Sequence, residues 1–205
     1  DLDVVKIFRK DQQVKTEQGM GLRIGDTITT NESSSAVIEF SPQIHVFLTP
    51  GTQVQIGTLT LKFGKVLVII QEKFKKVFEV KTEDVTAGPT STVFTVAKKA
   101  GGPTTVAVIN GTVKLNSPVH AWPEVRLERQ KQAITHLGKR PEIEPVPQTE
   151  FNSVVAWANR SEVLVRPSQP TVLVPDVTRM PKEKAKSLLV KEGLRMGDVK
   201  PMISR

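Results

Sequence analysis

A mainly β fold, built from many short strands as a solenoid or a sandwich and followed by a small C-terminal α/β module with one helix, is predicted by three features. Val, Ile and Thr supply 60 of the 205 residues, and side chains branched at Cβ fit a pleated surface better than a helix. Apolar residues recur every second position through the first half of the chain, the period of a strand with one buried face. Gly, Pro, Asn and Ser interrupt these runs every few residues, as turns between short strands require.

Taken in order, residues 4–8, 27–30, 36–40, 44–48 and 54–56 are strand candidates. In Ala36-x-Ile38-x-Phe40 and Ile44-x-Val46-x-Leu48 the alternation is unbroken. Turns are expected at Gly25-Asp26, at 31–35, and at Ser41-Pro42, Pro50-Gly51, Gly57, Gly64, Gly88-Pro89, Gly101-Gly102-Pro103 and Asn110-Gly111. The segments 52–56, 59–63 and 65–70 are parted by single glycines, a rhythm that suits the coils of a solenoid. Between 118 and 170 fall seven of the 14 prolines, which limit long paired strands. Short closing strands are expected at 125–127 and 133–135, a short helix or strand at 151–157, and a strand at 162–165. A helix over about 181–192 starts at Pro181, places Ala185, Leu188 and Leu189 on one face, and ends before Gly193. The resulting division is a β domain over 1–122, a Pro-rich connection with short strands over 123–170, and a C-terminal module over 171–205.

Cysteine is absent, which removes disulfides, thiolate metal sites and cysteine nucleophiles. The longest aliphatic run, 66–70, is far short of the roughly 20 residues of a spanning helix. The net charge of +8 is concentrated towards the C-terminal end, and a basic surface of that kind meets anionic polymers or acidic protein faces. Nucleic acid is not expected, because the basic residues are not interleaved with aromatics. A chain that begins at Asp1 reads as a trimmed or processed product, with any leader lying upstream.

No arrangement of residues points to catalysis. His45, His120 and His136 lack ligand spacing. Ser33-Ser34-Ser35 reads as a turn, and Gly19-x-Gly21 leads into a β segment instead of the helix a dinucleotide fingerprint needs. Trp122 and Trp157 read as packing residues. Lys73, Lys75 and Lys76 beside Phe74 and Phe78 form a charged edge, either protection of an edge strand or a ridge that faces a partner. No cofactor and no metal are expected.

The ordered set Gly25-Asp26, Ile28, Thr30, Ala36, Ile38, Phe40, Ile44, Val46, Leu48, Pro50, Thr52, Val54 and Ile56 resembles the opening of a FecR domain. Gly64-Lys65-Val66, Phe78-x-Val80-x-Thr82, Ala87-Gly88, Thr92-x-Phe94-x-Val96 and Val106-x-Val108 with Asn110-Gly111-x-Val113 carry the resemblance to about residue 115. Two positions depart from the family pattern: Ser41-Pro42-Gln43 replaces an Asp-Gly-Ser turn, and Thr90-Ser91-Thr92 replaces an Arg-Gly-Thr segment. A second run, Val174-Pro175-Asp176-Val177 through Gly193-Leu194-Arg195-Met196-Gly197, resembles the first part of a PASTA repeat over about 172–200.

These resemblances imply a non-enzymatic protein of the bacterial envelope, periplasmic or otherwise extracytoplasmic, whose FecR-like domain binds a protein partner as an interaction or scaffold unit. Two alternatives stand beside it. One is a peptidoglycan-binding module that uses Arg179, Lys182, Lys184 and Lys186 on the PASTA-like end, and the other is the periplasmic part of a transmembrane signalling regulator.

Overall fold

The computed structural model describes residues 5–71 and 78–165. Thirteen strands and one helix make up this part: β1 (Val5–Arg9), β2 (Gln12–Val14), β3 (Thr27–Thr30), β4 (Ala36–Ser41), β5 (Ile44–Leu48), β6 (Gln53–Gln55), β7 (Leu59–Ile70), β8 (Val80–Lys81), β9 (Thr86–Lys98), β10 (Thr104–Asn116), β11 (Val125–Glu128), β12 (Lys131–Thr135), β13 (Glu142–Pro145) and α1 (Gln148–Val165). The mainly β expectation holds. The described residues form one compact unit; the PASTA-like segment and the helix expected at 181–192 lie outside them.

The strands join in one sheet with the order β13-β12-β10-β9-β8-β7-β6-β3-β1-β2; β11 adds to β10, and β4 reaches β7 through β5. Three long strands organise it. The first half of β7 pairs with β6 and β8, and its second half with β5 and β9. In β10, residues 112–115 pair with β11 and 104–107 with β12. One apolar cluster takes Ile7 from β1, Ile28, Val54, Val68, Phe94 and Val108 from the middle, and Ala133 from β12. Strands so far apart in the pairing order share a core only if the sheet curls over it.

Three corrections follow from the ladders. Among the described strands only β7–β8 is parallel, so the coil-on-coil stacking of a solenoid is not what the ladders supply. Gly64, Gly88-Pro89 and Asn110-Gly111 lie inside β7, β9 and β10 and do not turn corners. Gly64 has φ of +98°, and a Cβ there would stand 2.5 Å from the Thr52 backbone; glycine is required by that close approach. At Asn110-Gly111 the β9–β10 register shifts on both sides of Asn110, a bulge that divides the part of β10 paired with β11 from the part paired with β12. The third correction concerns 162–165, read as a strand and observed as the last turn of α1. Its β-branched residues favour a strand locally, but the segment continues a helix with no proline between 148 and 165, and continuing a helix costs less than starting a new element.

The short strands expected at 125–127 and 133–135 are present as β11 and β12, and a further strand, β13, follows them. Trp122 is buried in the main core, as its packing role requires. Turns form where Asn31, Gly51, Gly57 and Gly101-Gly102 stand; the Asn31 carboxamide oxygen accepts from the Ser33 N–H at 2.9 Å, the Asx turn that Asn favours.

Candidate interaction surface

The sheet carries a second apolar layer. Side chains alternate across a strand, so while Val46, Leu48, Val66 and Val68 face the main core, Phe47, Leu67 and Ile69 point to the opposite face. The pairing Val37–Phe47–Leu67 places these residues in one row across β4, β5 and β7. Val93 and Ile109 extend the patch onto β9 and β10. Helix α1 lies on it with Phe151, Val154, Val155, Trp157 and Ala158. Phe151, Val154, Val155 and Ala158 fall at i, i+3, i+4 and i+7, one stripe of a helix.

This cover explains why all of β5 and the end of β7 are buried: they are covered on both faces, as an unbroken aliphatic run implies. The cover stops short of β4, where Val37 is 48% exposed at the end of the apolar row. At the start of the helix the Phe151 N–H donates to the Pro147 carbonyl at 2.9 Å, and the Glu150 carboxylate pairs with the Lys65 ammonium of β7. An acid in the first turn also suits the positive end of the helix dipole.

Beside the helix-covered patch, His45 of β5 is buried and lies opposite Ile69. Burial pushes its pKa down, and Glu39, with a carboxylate oxygen 4.0 Å from Nε2, opposes that shift. Nδ1 has no hydrogen-bond partner among the described residues, so the neutral imidazole is the form the site favours.

Two polar clusters brace the unit. Arg9 donates through its guanidinium to both carboxylate oxygens of Asp26 at 2.9 and 2.8 Å, and the Arg23 N–H adds a third bond at 2.8 Å. Those bonds, the Arg9 ones foremost, hold the Asp26 carboxyl below its usual range against the opposing effect of burial, and Asp26 in turn raises the pKa of Arg9. In the second cluster the Lys98 ammonium donates to Asp84 at 2.7 Å and to the Gly102 carbonyl at 2.6 Å, while the Thr104 hydroxyl donates to Asp84 at 2.6 Å. Lys98 and Asp84 are both buried, and this pair ties the turn before β9 to the β9–β10 hairpin.

Among the described residues no group of His, Asp and Glu could hold a metal ion, and no helix is long and apolar enough to cross a membrane. His45, His120 and His136 are not brought together: they lie on β5, in the loop after β10 and just after β12. Lys73, Lys75, Lys76, Arg179, Lys182, Lys184 and Lys186 lie outside the described residues, so the structure places none of the expected contact residues. The helix-covered face was missed in their stead. Its sequence signal was available in the run 66–70, too apolar for a strand with one wet face.

The order of strands from β3 to β10 now has a family to compare with. Residues 26–114 match the FecR protein family. The match bears out the FecR part of the expectation and covers under half of the chain; residues 171–205 lie outside it. No curated protein matches. Two solved structures, both described as a putative anti-sigma factor from Parabacteroides distasonis, share the fold. One aligns with a TM-score of 0.51 at 19% identity, over 64% of this chain and 64% of that one. The other aligns with a TM-score of 0.52 at 20% identity, over 64% and 63%. The chain therefore spans a little under two thirds of the length of these relatives. The FecR-like region contains Phe47, Leu67, Ile69, Val93 and Ile109, whereas α1 begins 34 residues after its end.

Proposed function

We propose that this protein is a non-catalytic, extracytoplasmic protein-binding unit of the kind found in envelope signalling regulators. The observation that carries the reading is the FecR family match over 26–114, on a curled sheet of the fold seen in the two anti-sigma factor structures. FecR-like domains typically work outside the cytoplasm and meet other proteins there. Two polar clusters in and beside the FecR-like region support this role. Arg9–Asp26 and Lys98–Asp84–Thr104 are occupied in bracing turns, and the apolar row of the outer sheet face emerges from under α1 at the half-exposed Val37.

The test is quantitative capture from envelope extracts with the tagged full chain, run with and without an excess of untagged protein. A discrete partner, displaced by the competitor, is the expected result. Recovery of the bait alone, together with co-sedimentation with purified cell wall, would instead favour the glycan-binding reading that the PASTA-like segment suggests.

A further inference from the structure

The geometry points to the face beneath α1 as an exchangeable helix-docking site, at which α1 is a placeholder for an amphipathic helix of the protein partner. The inference rests on the protein-binding reading above and names the surface and the shape of what binds. Every sheet residue of the patch, Phe47, Leu67, Ile69, Val93 and Ile109, lies in the FecR-like region, and every residue of the cover lies outside it. The FecR-like region thus presents an apolar strip that something outside it must cover, and here a tethered helix does so.

The cover holds to the sheet through few polar ties. The connection Pro145-Val146-Pro147 is anchored, with Val146 buried and its N–H donating to the Gln130 carbonyl at 2.9 Å, so any release begins at residue 148; beyond it the tie to the sheet through side-chain polar atoms, among the described residues, is the part-exposed pair Lys65–Glu150. The helix carries Thr149, Asn152, Ser153, Val154, Val155 and Asn159, all weak helix formers. A helix of this composition does not hold its shape in water alone, so its order depends on the sheet and it opens as a local unit. The apolar row does not end under the helix but continues to the exposed Val37 at β4, leaving a foothold for an incoming chain.

The occupant's chemistry is written in α1. It has apolar residues at i, i+3, i+4 and i+7, and a carboxylate one position before the first of them to meet Lys65, as Glu150 precedes Phe151. Binding of this type is helix-in-groove recognition.

A labelled peptide with the sequence of residues 147–165, added in trans to the full chain and followed by fluorescence anisotropy, tests the exchange. Wild type should bind it weakly, because α1 competes from within the same molecule. Val154→Asp in the protein weakens the internal helix and should tighten peptide binding at least tenfold. Adding Lys65→Glu should then weaken binding about threefold, the size expected of a part-exposed ion pair, and a peptide with Glu150→Lys should recover it. Equal weak binding by wild type and Val154→Asp overturns the inference. Should the variant fail to fold, hydrogen exchange of wild type decides: amides of α1 that exchange well ahead of those in β7 and β9 support the site, and equal protection overturns it. The peptide assay uses purified protein alone, so its failure is separate from a failure to capture a partner.

Discussion

Gly64 shows how one residue shapes an element. At φ of +98°, with the Thr52 backbone 2.5 Å from where a Cβ would stand, it lets β7 run past β6 and change partners midway. Gly64→Ala should cost about 1–3 kcal/mol from the backbone conformation alone and more from the clash, which urea unfolding will read as a lowered midpoint. Sequence shows a glycine here but not its purpose, since a corner and a bulge ask for the same residue. That is why Gly64 and Gly111 were read as turns. The alternation of 36–40 and 44–48, in contrast, was legible residue by residue, because it records which side chain faces the core.

Two titrating residues give stability a pH dependence with known sign. The Asp26 carboxyl is lowered in the folded state, so its contribution is present above the unfolded value of about 3.9 and is lost as pH falls through the lower folded value. His45 is also lowered, by burial. Below its unfolded value of about 6.5 the unfolded chain takes up a proton that the folded chain resists, so stability declines from there downward. Unfolding midpoints measured from pH 8 to pH 3 should fall in two stages, and His45→Gln should flatten the first while leaving the acid stage in place. An unchanged first stage would remove His45 from the account.

Between elements, the buried Lys98–Asp84 pair joins the β8–β9 turn to the β9–β10 hairpin with help from Thr104 and Gly102. Taking away one partner strands a buried charge. Lys98→Met should therefore cost about 3–5 kcal/mol, and adding Asp84→Leu should return much of it; thermal unfolding of the two variants beside wild type checks both. Helix α1 is the element where sequence reading gave only half the answer. Pro145 and Pro147 before it and Val163 to Val165 at its end suggest extended chain, yet Phe151, Val154, Val155 and Ala158 hold the spacing of a helical stripe. Local propensity lost to tertiary context, because a sheet face lined by Phe47, Leu67 and Ile69 rewards any segment that can lay an apolar stripe upon it.

At the scale of the whole molecule, a curled sheet shares one core from β1 to β12, and its outer apolar face is closed by a helix from beyond the FecR-like region. The mainly β class and the likeness to the FecR family over 26–114 were legible because both rest on alternation and turn chemistry. The proposed surface was not, because its two halves, 37–109 and 151–158, are distant in sequence and meet only through the fold. The central claim is that this surface meets another protein. Val37, exposed beside the helix-covered row, is the position from which to test it, by replacing it with the photocrosslinking residue benzoylphenylalanine in the protein at its native level in the cell. The account predicts that light produces a discrete heavier species containing a second protein, and that Val154→Asp, which weakens the internal cover, increases it. No crosslink from Val37, or crosslinks to cell wall alone, would contradict it.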